Sequence, residues 1–244
     1  MRALDNANFL ALWETGHGLH PLDRGLLALR ASLADGFDTD GESVADWPLG
    51  RRNRALAEVR SLYFGPHLQG WSACERCGEK LEFNLDCRTL VEHSKESSGE
   101  TIVVDGRAFR LPTSRDLARV VEEDDSQAAA VRLLQACEME GTEASSRDSP
   151  LAPLSLEDVE AVSERMACAD PLAEITLSFE CPNCSAAGEE ILDLPAFLWA
   201  EIEARAKRLL LEIHTLASAY GWAEPEILAM SDVRRSTYLQ MVHA

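Results

Sequence analysis

Basic residues are scarce in this sequence, which has 23 Lys and Arg against 42 Asp and Glu and a formal net charge of −19 at pH 7. A field of this sign repels the phosphates of nucleic acids and of anionic membrane surfaces. We therefore expect neither nucleic acid nor a membrane among the partners of the chain.

Long apolar runs are also missing, because no stretch approaches the roughly 20 residues that are needed to cross a bilayer. The amino-terminal segment carries an acid, Asp5, and has no continuous apolar core, which predicts no signal peptide. Apolar residues still make up 46% of the chain, enough for a sizeable buried core. These features predict a soluble, folded protein in the cytoplasm.

The sequence has none of the short motifs that mark common catalytic sites. It contains no GxSxG nucleophile elbow, no HExxH metal motif, no Walker-type phosphate loop and no dinucleotide fingerprint. We therefore expect no enzyme activity, no catalytic residues and no small-molecule substrate.

Four of the seven cysteines form two CxxC pairs, Cys74/Cys77 and Cys181/Cys184. In a reducing cytosol such pairs favour metal binding over disulfides. Thiolates at positions i and i+3 of a tight turn can supply two corners of a tetrahedral zinc site. Two pairs complete the site and leave no open position for a substrate. The pattern predicts one structural Zn²⁺ per chain.

The other three cysteines, Cys87, Cys137 and Cys168, lie at a strand end or on apolar helix faces. They are expected to be small core residues, with Cys87 the one rival fourth ligand. Gly78 follows the first pair and suits the left-handed conformation of a metal-binding turn. Ser185 takes the corresponding place after the second pair and departs from this pattern.

Apolar and polar residues alternate on one side of each pair, at 81–85 and at 175–179, which is typical of half-buried strands. Both copies read strand, cysteine turn, strand, acid, a weak internal repeat. An Asp-Gly turn predicts a further hairpin at 102–111. The expected fold class is α+β, mainly helical, with a small antiparallel zinc-ribbon-like sheet formed by the two CxxC turns.

Helical patterns surround these strands. The clearest runs through residues 198–220, where apolar residues recur at steps of three and four after Asp193, a suitable N-cap. Gly221 is the expected C-cap. Other helices are expected at about 8–34, 49–64, 114–121, 126–138, 156–168, 224–230 and 232–242.

The pattern divides the chain into three regions. Residues 1–65 form an amino-terminal helical region, residues 66–193 a zinc-ribbon-like core, and residues 194–244 a carboxyl-terminal helical region. Within the core region, residues 88–170 are an insertion that carries the extra hairpin and helices.

Two surface features could bind a partner. Arg51, Arg52, Arg54 and Arg60 form a basic cluster, which is either a docking site for an acidic surface or an exposed helix face. The carboxyl-terminal segment is rich in aromatic, apolar and arginine residues, and its candidate contacts, which could instead pack on the long helix, are Trp222, Ile227, Leu228, Met230, Arg234, Arg235 and Tyr238.

Several segments together resemble the baseplate proteins of T-even-type contractile phages and of phage-derived contractile injection systems. The resemblance spans about residues 45–242 and is most specific in the last third of the chain. The segments that carry it are WPLGRRNRALAEVRSLYFG (47–65), CERCG (74–78), FRLPTSRDLA (109–118), CPNC (181–184), FLWAEI (197–202) and LLLEIHTLASAYGWAEPEILAMSDVRRSTYL (209–239).

The resemblance implies a role in building the baseplate hub, as a minor component or an assembly factor, with baseplate or tail-hub proteins as partners. It implies no catalytic residues. The expected function is a non-enzymatic structural or assembly protein that is cytoplasmic or part of a phage-like particle.

The alternative is a zinc-ribbon protein that binds nucleic acid or has a regulatory role. That alternative predicts a basic face near the cysteines, and the neighbouring residues are mostly acidic. A metalloenzyme with a three-ligand site is weaker still, since four cysteines are present.

Overall fold

Helices make up most of the structure, a computed structural model that describes residues 1–33, 43–93, 101–139 and 154–242. The α-helices in these ranges are α1 (Asn6–Gly16), α2 (Pro21–Ser32), α3 (Leu49–Phe64), α4 (Cys87–His93), α5 (Ser114–Val120), α6 (Ser126–Cys137), α7 (Leu156–Ala169), α8 (Leu194–Tyr220), α9 (Glu224–Leu228) and α10 (Asp232–Val242). The predicted helix over 8–34 is two helices, because the chain turns between Gly16 and Pro21. None of the described helices is both long and apolar enough to pass through a membrane.

The strands form three small antiparallel sheets. They are β1 (His67–Ala73), β2 (Lys80–Asp86), β3 (Ile102–Val104), β4 (Arg107–Phe109), β5 (Glu138–Met139), β6 (Thr176–Glu180) and β7 (Ala187–Ile191). β1 pairs with β2 and β6 pairs with β7, each as a separate two-stranded hairpin, while β3, β4 and β5 form the third sheet. The predicted mainly helical fold with small antiparallel sheets is confirmed. The two CxxC turns lie on separate hairpins that are not hydrogen-bonded into one sheet.

The long helix α8 begins and ends where the sequence predicts. Asp193 caps its first turn by accepting a hydrogen bond from the Ala196 amide at 3.0 Å. Gly221 ends it in the left-handed conformation, with φ of +71°. One face of α8 is buried along its length, and burying each leucine or isoleucine side chain on it contributes about 1.5–3 kcal/mol. The buried residues of this face are Leu194, Leu198, Ile202, Ala206, Leu209, Ile213 and Leu216.

Two hydrophobic clusters form the core. The main cluster joins α1, α2, α3 and α8, so residues from the amino-terminal and carboxyl-terminal regions share one interior. The second cluster is built within the predicted insertion, and its buried residues are Ile102, Val104, Phe109, Leu111, Leu134, Cys137, Leu154, Val162 and Met166.

Polar contacts hold residues 170–172, the segment that leads into the β6–β7 hairpin, against the start of α3. The Gly50 amide donates to the Asp170 carboxylate at 2.8 Å, which caps a helix whose own N-cap residue is proline. The Asn53 side-chain amide donates to the Leu172 carbonyl at 2.7 Å. These contacts fix residues 170–172 on the helical core just before β6 begins.

A buried arginine links the helix that precedes the first hairpin to the helix that follows the second. Arg60, 3% exposed, lies in α3 just before β1 and donates to both carboxylate oxygens of Glu201 on α8, at 3.0 and 2.7 Å. It also donates to the Gly65 carbonyl at 2.6 Å. Since β7 leads directly into α8, this ion pair holds the end of α3 beside the start of α8. The two hairpins therefore leave the core close together.

Candidate metal centre

The two CxxC turns have the same backbone hydrogen bonds. In the first turn, the Gly78 amide donates to the Cys74 carbonyl at 2.7 Å, and the Cys74 amide donates to the Glu79 carbonyl at 2.8 Å. In the second turn, the Ser185 amide donates to the Cys181 carbonyl at 2.8 Å, and the Cys181 amide donates to the Ala186 carbonyl at 2.9 Å. Each turn closes a hairpin, which explains the repeat that the sequence indicates.

The four thiols meet at one point. Cys74 Sγ lies 3.7 Å from Cys184 Sγ, and Cys77 Sγ lies 3.6 Å from Cys181 Sγ. All four sulfurs lie within 4.8 Å of one another. A disulfide sulfur pair is separated by only about 2.05 Å. Two Zn–S bonds of about 2.3 Å at a tetrahedral angle place their sulfurs about 3.8 Å apart. The cluster therefore has the dimensions of a tetrahedral four-thiolate metal site.

Burial differs within each pair in the same way. The first cysteines, Cys74 and Cys181, are buried, with 3% and 1% exposed. The second cysteines are more open, because Cys77 is exposed and Cys184 is half-buried. A bound ion would thus be covered by protein on one side and lie near solvent on the other.

Backbone amides favour thiolates at this point of the structure. The Glu79 amide and then the Asn183 side chain stabilise the charged form of Cys77, which lowers its pKa to about 7. At Cys184 the Ala186 amide also lowers the pKa. Burial and the proximity of the other three thiols outweigh it and raise the pKa to about 12. Near neutral pH, repulsion between neighbouring thiolates keeps some of the four thiols protonated. The last protons therefore leave the cluster when a metal ion binds and compensates the negative charge.

The donor set limits which metals fit. Four thiolates suit soft or borderline ions such as Zn²⁺, Cu⁺ and iron, and exclude Mg²⁺ and Ca²⁺, which prefer oxygen. No other group of three or more His, Cys, Asp or Glu ligands converges in the described ranges.

The two hairpins contact each other through few polar groups besides the thiols. The Ser72 hydroxyl donates to the Glu190 carboxylate at 2.8 Å across the gap. Within each hairpin a phenylalanine covers a glycine of the paired strand, Phe83 over Gly70 and Phe179 over Gly188. A side chain at either glycine would overlap that ring, so the glycines permit the close packing.

The remaining cysteines lie outside the cluster. Cys87 and Cys137 are fully buried, as predicted, and Cys87 lies beside Arg60 and Ser61 in the main core. The prediction is wrong for Cys168, which is exposed on α7. The possible role of Cys87 as a rival fourth ligand finds no support, because the four CxxC thiols converge without it.

The candidate partner-binding residues of the carboxyl-terminal segment separate into two groups. Ile227 is fully buried in the main core. Arg235, 6% exposed, donates to Glu212 at 2.6 Å and to Asp232 at 2.8 Å. Because these two residues hold α9 and α10 onto α8, they are not free to contact a partner. The others are at least partly exposed, namely Trp222, Leu228, Met230, Arg234 and Tyr238.

An aromatic group on this surface includes a residue that the sequence places in the buried stripe of α8. Tyr220 is 39% exposed and stacks on Trp222, with ring centroids 4.5 Å apart. Tyr238 packs edge-on against Trp222 at 4.8 Å, and the Arg234 guanidinium lies 5.7 Å from the Tyr238 ring. We call Tyr220, Trp222, Arg234 and Tyr238 the tail patch. The position of Tyr220 at the last residue of α8, where the helical face runs out, is the signal that could have identified it.

The basic cluster of α3 is not a continuous docking surface. Arg52 is buried and donates to Asn53 and Ser114, and Arg60 is buried in its ion pair with Glu201. Arg51 lies over the Trp47 ring at 4.1 Å. The cluster therefore serves mostly to hold neighbouring segments on α3.

Comparison of the chain with protein-family models, with curated proteins and with solved structures gave no match. The resemblance to contractile-tail baseplate proteins therefore stands on the sequence segments alone.

Proposed function

We propose that this chain is a non-enzymatic structural or assembly protein of the baseplate of a contractile tail or injection system. In this proposal it is made in the cytoplasm, binds baseplate or tail-hub proteins, and holds one structural zinc ion in a zinc-ribbon-like site. Cys74, Cys77, Cys181 and Cys184 hold that ion, whose role is to fasten the two hairpins together.

The observation that carries the proposal is the surface formed by the segment with the most specific resemblance, residues 209–239. Its tail patch combines aromatic rings with an exposed arginine, the residue types that are enriched where protein interfaces are strongest. Tyr220 is the last residue of α8, and the Trp222 ring is held in place by stacking on Tyr220 and by the edge of the Tyr238 ring. Preordered aromatic groups lose little conformational freedom when a partner binds.

The metal site supports the same function. A four-thiolate site has no open position for substrate or water, and such sites typically stabilise a fold. Nucleic acid is the less favoured partner, because Glu75, Glu79 and Glu189 are exposed around the cysteines and would repel phosphates.

The test is particle assembly. The gene is deleted from a genome that encodes a contractile particle with this chain, and sheathed tails are counted by electron microscopy after complementation. The intact chain restores tails, whereas the double variant Trp222→Ala with Arg234→Ala restores at least tenfold fewer. A matched control is Trp71→Ala, which removes another exposed tryptophan, 62% exposed, from β1. Normal tail numbers in the deletion strain would refute the proposed function, and equal complementation by the double variant would refute the tail patch as its contact.

A further inference from the structure

Within the cluster of four thiols, two sulfur contacts cross from one turn to the other. Both sulfur contacts with hydrogen-bond geometry, Cys77 with Cys181 at 3.6 Å and Cys74 with Cys184 at 3.7 Å, join one hairpin to the other. Each crossing pair combines a more open thiol, Cys77 or Cys184, with a buried one, Cys181 or Cys74, and Cys77 is the only one of the four that is exposed, since Cys184 is half-buried. Peroxide-sensitive cysteines are typically accessible and lie beside a second thiol that resolves the first oxidation product.

We infer that the metal-free cluster is an oxidation site that closes two disulfides between the hairpins, Cys77–Cys181 and Cys74–Cys184, and that Cys77 reacts first. This inference rests on the cluster geometry and does not depend on the role in a baseplate. Its oxidant is a hydroperoxide, with hydrogen peroxide as the simplest member.

The chemistry proceeds in two balanced steps. The Cys77 sulfur attacks one peroxide oxygen, the O–O bond breaks, and the second oxygen leaves as water after it takes the thiol proton. The product is a sulfenic acid. The Cys181 sulfur then attacks that sulfenic sulfur, its S–O bond breaks, and the hydroxyl leaves as water with the Cys181 proton. Each disulfide thus consumes two thiols and one peroxide and yields two waters. Oxidation of both pairs removes all four metal ligands.

Crossing disulfides have a specific structural consequence. They keep the two hairpins joined after the metal has left, whereas disulfides within each CxxC turn would leave the hairpins linked mainly by contacts such as Ser72 with Glu190. Reduction then returns four thiols that are already gathered in one place. The site can therefore exchange a metal for two disulfides without losing the arrangement of its hairpins.

The experiment uses the full chain, purified under reducing conditions and stripped of metal with a chelator. Hydrogen peroxide is added at two equivalents per chain, the remaining thiols are alkylated, and disulfide-linked peptides are identified by mass spectrometry. The expected products are Cys77–Cys181 and Cys74–Cys184, at least fivefold more abundant than either alternative pairing, Cys74–Cys77 with Cys181–Cys184 or Cys74–Cys181 with Cys77–Cys184, with reductant restoring metal uptake. Predominance of either alternative pairing, or no disulfide at all, overturns the inference.

A second measurement tests the order of reaction. In Cys181→Ser the sulfenic acid on Cys77 has lost the resolving thiol assigned to it, and in Cys74→Ser the same holds for Cys184, so each can be trapped with a cyclic 1,3-dione. At limiting peroxide the probe is expected on Cys77 of the first variant at least fivefold more than on Cys184 of the second. Cys168→Ser is the matched control, since it removes an exposed cysteine outside the cluster and leaves the crossing disulfides unchanged. Equal labelling of Cys77 and Cys184 in the two variants overturns the assignment of Cys77 as the first site. The disulfide map of the unsubstituted chain needs no folded variant.

Discussion

Gly78 and Ser185 occupy the same place in the two cysteine turns, and both have a left-handed backbone, with φ of +74° and +52°. Each donates its amide to the carbonyl of the first cysteine of its turn. Glycine adopts this conformation readily, whereas for other residues contact between Cβ and the backbone makes it unfavourable. The second turn therefore keeps its geometry despite a residue that disfavours it.

This difference predicts opposite effects of exchanging the two residue types. Ser185→Gly is expected to raise the free energy of unfolding by up to about 1 kcal/mol, because it removes the left-handed strain. Gly78→Ser is expected to lower it by about 1 kcal/mol. Chemical denaturation of the metal-loaded chains measures both. A loss of stability in Ser185→Gly would show that the serine side chain contributes more than its backbone strain.

The four-cysteine cluster predicts that stability depends on metal. The purified chain should contain about one metal ion, and chelation should lower its melting temperature, since binding free energy adds to folding free energy. Cys181→Ser should lower both metal content and melting temperature, because three thiolates and a hydroxyl bind zinc less tightly.

Metal analysis and thermal melting test this prediction, with Cys168→Ser as the control. Cys168 is exposed and lies outside the cluster, so its variant should match the unsubstituted chain in both measurements. A chain without metal whose melting is unaffected by chelator would contradict the structural role of the site. Elemental analysis would also identify the metal, which the sulfur geometry restricts only to thiophilic ions.

Much of this architecture could be predicted from the sequence because its signals are local. The ends of α8 follow from Asp193 and Gly221, which cap the helix as the sequence predicts. The convergence of the two CxxC pairs followed from ligand chemistry, since two half-sites complete one tetrahedron. Such signals depend on neighbours within a few residues.

Other features depended on contacts between distant segments and could not be read from the pattern. Arg52 and Arg60 look like an exposed basic cluster, and only the positions of Ser114 and Glu201 in the fold show that both are buried partners. Arg235 is likewise buried, because it forms an ion pair with Glu212 on a distant helix. The sequence pattern also did not show that the two hairpins are separate sheets. Which strand edges pair depends on contacts between distant segments, and the alternation within a strand does not specify them.

Asp116 predicts a measurable acid dependence of stability. Its carboxylate is 1% exposed, and burial alone would raise its pKa. Hydrogen bonds from Arg110 at 2.6 and 2.9 Å and from Thr113 outweigh burial and lower the pKa. Because the folded-state pKa is the lower one, the stabilisation is fully present above the unfolded value of about 3.9. It is lost as the pH falls through the folded value.

Asp116→Asn should therefore be less stable than the unsubstituted chain at pH 6. The expected loss of unfolding free energy is about 1–3 kcal/mol. It is smaller than for a fully buried ion pair, because Arg110 is 41% exposed and solvent partly screens its attraction to Asp116. The difference between the two chains should shrink as the pH falls below about 4. Denaturation curves from pH 6 to pH 2 measure it. Asp158→Asn is the control, since Asp158 has a similar capping role and a lowered pKa but is only half-buried. A difference that stays constant with pH would mean that the charge of Asp116 is not what stabilises the fold.

The close approach of α1 and α8 gives the last prediction. Gly16 ends α1 directly against the Trp199 ring, where an added Cβ would lie 2.8 Å from Cζ3 and closer still to Cη2. The ring is buried and cannot move aside easily, because the Arg24 guanidinium lies 5.3 Å from its centroid and is anchored by donating to the Gly16 carbonyl at 3.1 Å. Gly16→Ala should therefore lower the free energy of unfolding by about 1–3 kcal/mol, the usual effect of overpacking. Gly18→Ala is the matched control, since a Cβ there meets nothing within 4 Å, and it should change stability by less than about 0.5 kcal/mol. Equal denaturation midpoints for the two variants would mean that α1 can shift away from α8, and that the main core does not require this contact.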